Sequence, residues 1–233
     1  MTIKKCSGTI THIKDLSKTA KEVSITLSEP LAIVAGSFVN IFMTIDDQKI
    51  RRAYSISSDP KEQDHITISM RLSPNGIMTP LFWNSDMTNQ KIEVMGPMGL
   101  NTADKMLHDH IYLFGFGIGA GVVKSLARHF CDTSHTKKVT IITGSRTDDE
   151  ILYKEYFDSL AKVYPMVDVS YAVSQGSENS IFKKGYIQEH LQNTDFNHAD
   201  VYVCGQEAAC NELVATIKNS QPIDCEFFIE GFH

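Results

Sequence analysis

The chain has 233 residues, 42% hydrophobic and 21% charged, with a formal net charge of −6. That length suits one large domain or two of roughly 100 to 120 residues, and the composition supports a packed core without repeats or low-complexity tracts. The acidic balance argues against a nucleic-acid reader, which needs a basic excess to displace phosphate counterions.

The longest apolar run, residues 111–123, is too short to cross a bilayer and contains four glycines, so no membrane insertion is expected. The opening MTIKKCSGTITHIK has no apolar signal segment, which leads to the expectation of a cytoplasmic protein. Five cysteines (Cys6, Cys131, Cys204, Cys210, Cys225) are odd in number and contain no Cys-x-x-Cys pair. This disfavours a disulfide framework or a zinc site. A plant-type iron–sulfur cluster needs a close group of thiolates that is missing here, so any iron–sulfur partner is expected to be a separate protein.

In chain order, residues 8–13, 22–27, 38–45, 65–71 and 91–94 alternate apolar and polar side chains between Gly, Pro, Asn and Asp. That rhythm predicts an antiparallel sheet or closed barrel, with one short helix at 79–86. From residue 110 the runs 111–114, 138–143, 167–173 and 201–204 are apolar strands separated by helical spacing, which predicts a parallel sheet with helices on both faces. Thr147 and Glu150 have capping-box spacing, predicting a helix that turns Ile151, Leu152, Phe157, Leu160 and Val163 inward. Another helix is expected after Gly205, and a last strand at 226–233 ending on His233. The polar stretch 102–109 suggests two domains, 1–103 and 104–233.

Several short constellations have chemistry to offer. Arg52-Ala53-Tyr54-Ser55 combines a guanidinium suited to pyrophosphate, a ring suited to a flat heterocycle and a hydroxyl suited to a ring nitrogen. The same tetrapeptide also reads as an exposed arginine beside a half-buried tyrosine. Gly76-Ile77-Met78-Thr79 precedes the apolar Pro80-Leu81-Phe82-Trp83 and suits either an anion site at a helix start or an ordinary N-cap. Gly96-Pro97-Met98-Gly99 reads by itself as a turn.

In the second half, Gly115-Phe116-Gly117-Ile118-Gly119-Ala120-Gly121 lies between a strand and a helix, the context a nucleotide pyrophosphate requires. Its spacing departs from Gly-x-Gly-x-x-Gly, and the next strand ends at Gly144-Ser145-Arg146 with no acid to hold a ribose. Arg146 suits a 2′-phosphate, and equally an ion pair with Asp148, Asp149 or Glu150. Cys204-Gly205 ends a strand at the edge where ligands lie, although a buried cysteine also serves as a small apolar filler.

Together with Glu230-Gly231-Phe232, these motifs resemble in order and separation the ferredoxin-NADP reductase family across nearly the whole chain. The resemblance implies a six-stranded antiparallel FAD barrel followed by an α/β parallel-sheet nucleotide domain, with nicotinamide and flavin meeting in the cleft between them. It further implies that Arg52 binds the FAD pyrophosphate, Tyr54 packs on the isoalloxazine, Ser55 sits near its reactive nitrogen, and Gly76, Met78 and Thr79 hold phosphate. Ala53, Met70 and Ile77 complete the FAD set. Gly117, Ile118, Ser145, Arg146 and Gly205 fall to NADH or NADPH, while Cys204, Glu230 and Phe232 border the hydride-transfer position; the catalytic group is thus Ser55, Cys204 and Glu230.

Departures from the family pattern occur at Ser37, where many relatives have Gln, and at Gln206-Glu207, where two prolines are usual. Gln175 stands where NADP-specific relatives often carry arginine, so it points to NADH while Arg146 points to NADPH. The function implied is electron transfer from NAD(P)H through FAD to a ferredoxin, flavodoxin or oxygenase component. Reduction of free flavin, and a non-catalytic flavoprotein subunit or sensor, are the alternatives.

Overall fold

The structure, a computed structural model, describes residues 1–133 and 138–232; His233, the last residue of the expected final strand, lies outside them. Main-chain contacts divide the chain into two units, Met1–Leu100 and Asn101–His233.

The first unit is built from β1 (Lys4–Asp15), β2 (Ala20–Leu27), β3 (Phe38–Ile45), β4 (Gln48–Ser55), β5 (His65–Arg71) and β6 (Lys91–Met98), all antiparallel in the order β4-β3-β6-β1-β2-β5. The two outer strands come together just past β4, where Ile56 bridges Ile68 and the Ser57 N–H donates to the Thr67 carbonyl at 2.8 Å. Closure removes the open edges that would otherwise present unpaired backbone. The alternating apolar residues fill the interior: Ile10, Val23, Ile25, Val39, Ile41, Ile66, Ile68 and Val94 are all buried in one core. A one-residue slip in any strand would turn that set outward, so the pattern fixes the register.

Two local features position β4. Asp46 (φ 48°) and Asp47 (φ 61°) make a left-handed hairpin turn that sets Ile45 opposite Gln48, and with it Arg52 opposite Ile41 and Tyr54 opposite Val39. Residues 96–99, read above as a turn, instead carry β6 onward as strand to Met98, which pairs with Phe38. Gly96 permits this, because a Cβ there would lie 2.8 Å from Val39 Cγ1 and 3.1 Å from the Phe38 carbonyl oxygen. The short helix α1 spans only Leu81–Asn84 rather than 79–86, since Ser85 turns extended (φ −144°, ψ 152°) and ends it.

The second unit comprises β7 (His110–Phe116), α2 (Ala120–Thr133), β8 (Lys138–Ser145), α3 (Lys154–Val163), β9 (Val167–Val173), β10 (Lys183–Lys184), β11 (Ala199–Gln206), α4 (Glu207–Asn219) and β12 (Cys225–Phe232). Its sheet is parallel in the order β10-β9-β8-β7-β11-β12. Chain direction across the sheet reverses between β7 and β11, and such a reversal opens a crevice at the carboxyl ends of those strands. Helix α2 buries Val122, Val123, Leu126 and Phe130 as their spacing predicts.

The expected capping box does not form. The Thr147 hydroxyl donates to Asp149 Oδ1 at 2.6 Å, and Asp148 is drawn to the Ser177 N–H and the Ser180 hydroxyl. Residues 148–150 therefore make a single tight turn, Tyr153 takes a left-handed conformation (φ 58°), and α3 starts only at Lys154. Phe157, Leu160 and Leu152 are buried as expected, whereas Val163 is 68% exposed. Among the described residues no helix is long and apolar enough to cross a membrane, and all five cysteines are free.

At the amino-terminal end of β11, buried Asp200 accepts the N–H groups of Leu107 (2.7 Å) and His108 (3.1 Å) and faces His108 Nδ1 at 2.8 Å. His108 Nε2 lies 3.2 Å from Asp224 Oδ2, which also meets His198 Nδ1. Burial alone would lower the His108 pKa, but the two carboxylates outweigh it and raise the pKa above the ordinary value. A histidine pKa raised on folding contributes stability that is complete below the unfolded value and fades as pH climbs through the folded one. The urea midpoint of the second unit is therefore expected to fall between pH 6 and pH 9, and His108→Gln to flatten that slope; equal slopes in both proteins would remove His108 as its source.

Candidate functional site

Each unit gathers its own set of the residues singled out above. In the first unit, β4 carries Arg52, Ala53, Tyr54 and Ser55 in sequence at the end where the barrel closes. Arg52 and Ala53 are exposed, and an Arg52 nitrogen donates to the Arg51 carbonyl at 2.7 Å. Tyr54 packs against the barrel core, its hydroxyl 3.6 Å from Met78 Sδ, so strand and loop motifs meet there. Burial pushes the Tyr54 hydroxyl up to about 12, against a smaller opposing effect of Arg52, and keeps it a neutral donor. Met70 lies in β5 and is 1% exposed, a member of the barrel core.

The loop ahead of α1 has a different logic from the helix start expected of it. The Gly76 N–H donates to the Ser73 carbonyl at 2.8 Å, and Thr79 Oγ1 accepts the Ser73 N–H at 3.0 Å, closing residues 73–79 into a ring. The Thr79 hydroxyl is thus spent on loop shape. Among the described residues, the N–H groups of Ile77, Met78 and Thr79 have no acceptor, with Ile77 exposed and Met78 buried. Three successive amides with an exposed guanidinium on the same unit form a donor set that fits a pyrophosphate. The flavin site is therefore consistent with FAD, whose phosphates need those donors and whose ring suits Tyr54.

In the second unit, β7 runs into a tight turn at Gly117–Gly119, with Gly117 left-handed at φ 55°, and then into α2. Gly117 and Ile118 are partly exposed at the crevice edge, ahead of the α2 N-terminus and its partial positive charge. Across the crevice, Cys204 pairs with Gly115 on one side and Glu230 on the other, and Gln206 pairs with Phe232. Cys204 is buried; desolvation first, then Glu230 and Cys210, push its pKa well up, so it is a neutral thiol rather than a nucleophile. Gly205 is left-handed at φ 146°, and Glu207 opens α4, where a carboxylate complements the helix dipole.

The ends of β8 and β9 are tied together: the Ser174 N–H donates to the Ser145 carbonyl at 3.1 Å and the Gln175 N–H to the Arg146 carbonyl at 2.7 Å. The Ser145 hydroxyl donates to the Thr147 carbonyl at 2.9 Å. Arg146 is exposed, and among the described residues no ion pair joins it to Asp148, Asp149 or Glu150. The two conflicting specificity residues thus sit side by side at one strand edge. One participant escaped the sequence reading, Ser73, because its tie to Thr79 follows no pattern that the sequence displays.

An antiparallel six-stranded barrel followed by a parallel sheet with a glycine turn at its reversal point defines a flavin- and nicotinamide-binding oxidoreductase fold. Residues 7–102 match the oxidoreductase FAD-binding domain and residues 113–213 the oxidoreductase NAD-binding domain. The chain thus joins an oxidoreductase FAD-binding domain to an oxidoreductase NAD-binding domain, in a ferredoxin reductase-like fold. It is 24% identical over 232 residues to the reductase component of phenol 2-monooxygenase from Pseudomonas sp. (strain CF600), covering 97% of this chain and 65% of that protein. It is 25% identical over 222 residues to NADH-cytochrome b5 reductase 2 of Aspergillus niger, covering 91% and 68%. The chain therefore spans about 65% of the length of the first curated relatives it matches. The fold is shared with the Amycolatopsis cytochrome P450 reductase (TM-score 0.86, 20% identity, 97% of this chain and 70% of that one). It is also shared with a ferredoxin NADP+ reductase from Neisseria gonorrhoeae solved with bound FAD and NADP (TM-score 0.83, 16% identity, 98% of each).

Replacing Arg52 by Ala is expected to weaken FAD binding about 10- to 100-fold, the worth of a charge-assisted phosphate contact. Fluorescence titration of the apoprotein checks this, with Arg51→Ala as the neighbouring control; an equal loss in both would show a general charge effect instead.

Proposed function

We propose that the chain is an NAD(P)H-dependent reductase: NAD(P)H held at the β7 and β11 ends gives a hydride to FAD held by the first unit, and the electrons pass to a separate protein. The observation that carries this reading is the presence in one chain of two donor sets, the amides of residues 77–79 with Arg52, and the glycine turn facing Cys204 and Glu230. FAD supplies the step from a two-electron donor to acceptors that take electrons singly. The protein's residues bind, orient and exclude water. Tyr54 presents an apolar ring with a neutral hydroxyl, Ser55 follows it on the same strand as a hydroxyl donor, and Cys204 contributes a small uncharged surface beside the carboxylate of Glu230.

An oxygenase component is the acceptor class we favour, because one relative along nearly the whole chain is the reductase component of a monooxygenase; ferredoxin and flavodoxin are the remaining acceptor classes. Five free thiols suit a reducing compartment and a cytoplasmic setting. For the nucleotide, Arg146 without an ion-pair partner among the described residues supports acceptance of a 2′-phosphate, so we assign use of NADPH as well as NADH.

Anaerobic mixing of the FAD-loaded protein with either nucleotide should bleach the flavin. Arg146→Ala should lower kcat/KM for NADPH about tenfold or more while leaving NADH within about twofold, as expected for one lost charged contact. A flavin that neither nucleotide reduces would refute the reductase reading, and equal losses with both nucleotides would refute the role of Arg146.

A further inference from the structure

Among the described glycines of the second unit, the one with least room against neighbouring main chain lies at the reversal point of the sheet. A Cβ built on Gly119 would stand 2.1 Å from the Cys204 carbonyl oxygen, 2.5 Å from its carbon and 2.9 Å from the Gly205 nitrogen. From the other side, a Cβ on Gly205 would stand 2.5 Å from Phe116 Cβ and 2.7 Å from the Phe116 carbonyl oxygen. Gly115 is less tightly packed against the start of α2, where an added Cβ would stand 3.0 Å from Ala120 N and Cα. The turn after β7 and the end of β11 therefore lock into each other through bare backbone. Neither partner has a flexible side chain to give way, and the Cys204 strand end is already paired on both sides, to Gly115 and to Glu230.

We propose that Gly119 is a positioning residue for hydride transfer: its missing side chain lets the β7–α2 turn rest on the Cys204 carbonyl and so fixes the strand end against which the nicotinamide lies. The proposal rests on the reductase reading above. In the step concerned, the hydride leaves the dihydronicotinamide with both electrons, oxidising NADH to NAD+, and with one solvent proton it reduces FAD to FADH2. Gly119 touches neither reactant and acts through Cys204 and Gly205. A methyl group added at residue 119 displaces the end of β11 by on the order of 1 Å, a shift that costs up to about 100-fold when it misaligns reacting atoms. Nucleotide affinity changes less than the rate, because Gly119 is buried and a carbon added there meets Cys204 and Gly205, whereas the turn faces the crevice through the partly exposed Gly117 and Ile118.

The test is Gly119→Ala in the FAD-loaded protein, followed in two ways. Stopped-flow reduction by NADH should show a limiting rate lower by about 10- to 100-fold, with the half-saturating NADH concentration within about threefold. Maleimide labelling with peptide mapping should show Cys204, 3% exposed in this structure, becoming reactive while Cys131 and Cys210, both 0% exposed, stay protected. Labelling of all three marks unfolding, and Ala120→Gly then carries the test, since it adds backbone freedom to the residue that follows Gly119 in the same turn without adding a carbon; a rate loss of about two- to fivefold is expected from a turn loosened in this way, and an unchanged rate overturns the proposal. A folded variant that keeps the wild-type limiting rate, or that changes only the half-saturating concentration, overturns the proposal. If neither nucleotide bleaches wild-type flavin, the reductase reading fails, and the labelling pattern alone decides whether Gly119 holds Cys204 in place.

Discussion

Main chain pressed against main chain at the reversal point of the parallel sheet is the constraint on which the second unit depends. Strands β7 and β11 are neighbours, yet the connections leaving them diverge, and the space between those exits is the crevice. Keeping it narrow requires the two exits to touch below it. Gly119 against the Cys204 carbonyl and Gly205 against the Cβ and carbonyl of Phe116 make that contact with no flexible group between, so the walls are as rigid as the sheet that bears them. Side chains with chemistry, Cys204 and Glu230, then occupy adjacent register positions on β11 and β12.

The first unit solves its geometric problem by closure. Bridging Ile56 to Ile68 brings β4 round beside β5 and leaves the Arg52-Ala53-Tyr54-Ser55 segment at the seam. The loop held by Ser73 and Thr79 then supplies amides that belong to no ladder. An unsatisfied backbone donor costs little while water reaches it, and it becomes a strong contact when an anion replaces that water.

Legibility from sequence followed the range of the interactions. Strands β3, β5 and β9 were readable to their ends because period-2 or continuous apolar runs record burial directly. Strand β4 carries almost no such record: as an outer strand it is largely exposed, and its start is announced only by Asp46-Asp47. The late start of α3 was hidden because Asp148 bonds to Ser177 and Ser180, far along the chain, rather than to its own turn. Thr79 was recognised as important, but its hydroxyl faces inward to Ser73, and the donors left over are backbone groups common to every residue type.

Recognition written in backbone amides has an evolutionary side. The N–H groups of residues 77–79 survive almost any exchange of side chain, proline excepted, provided the ring closed by Ser73 and Thr79 keeps its shape. Sequence can drift widely over such a loop while its donors remain. In such a loop the side chains that matter are the ones that bend the chain, Ser73 and Thr79, rather than any that bear charge.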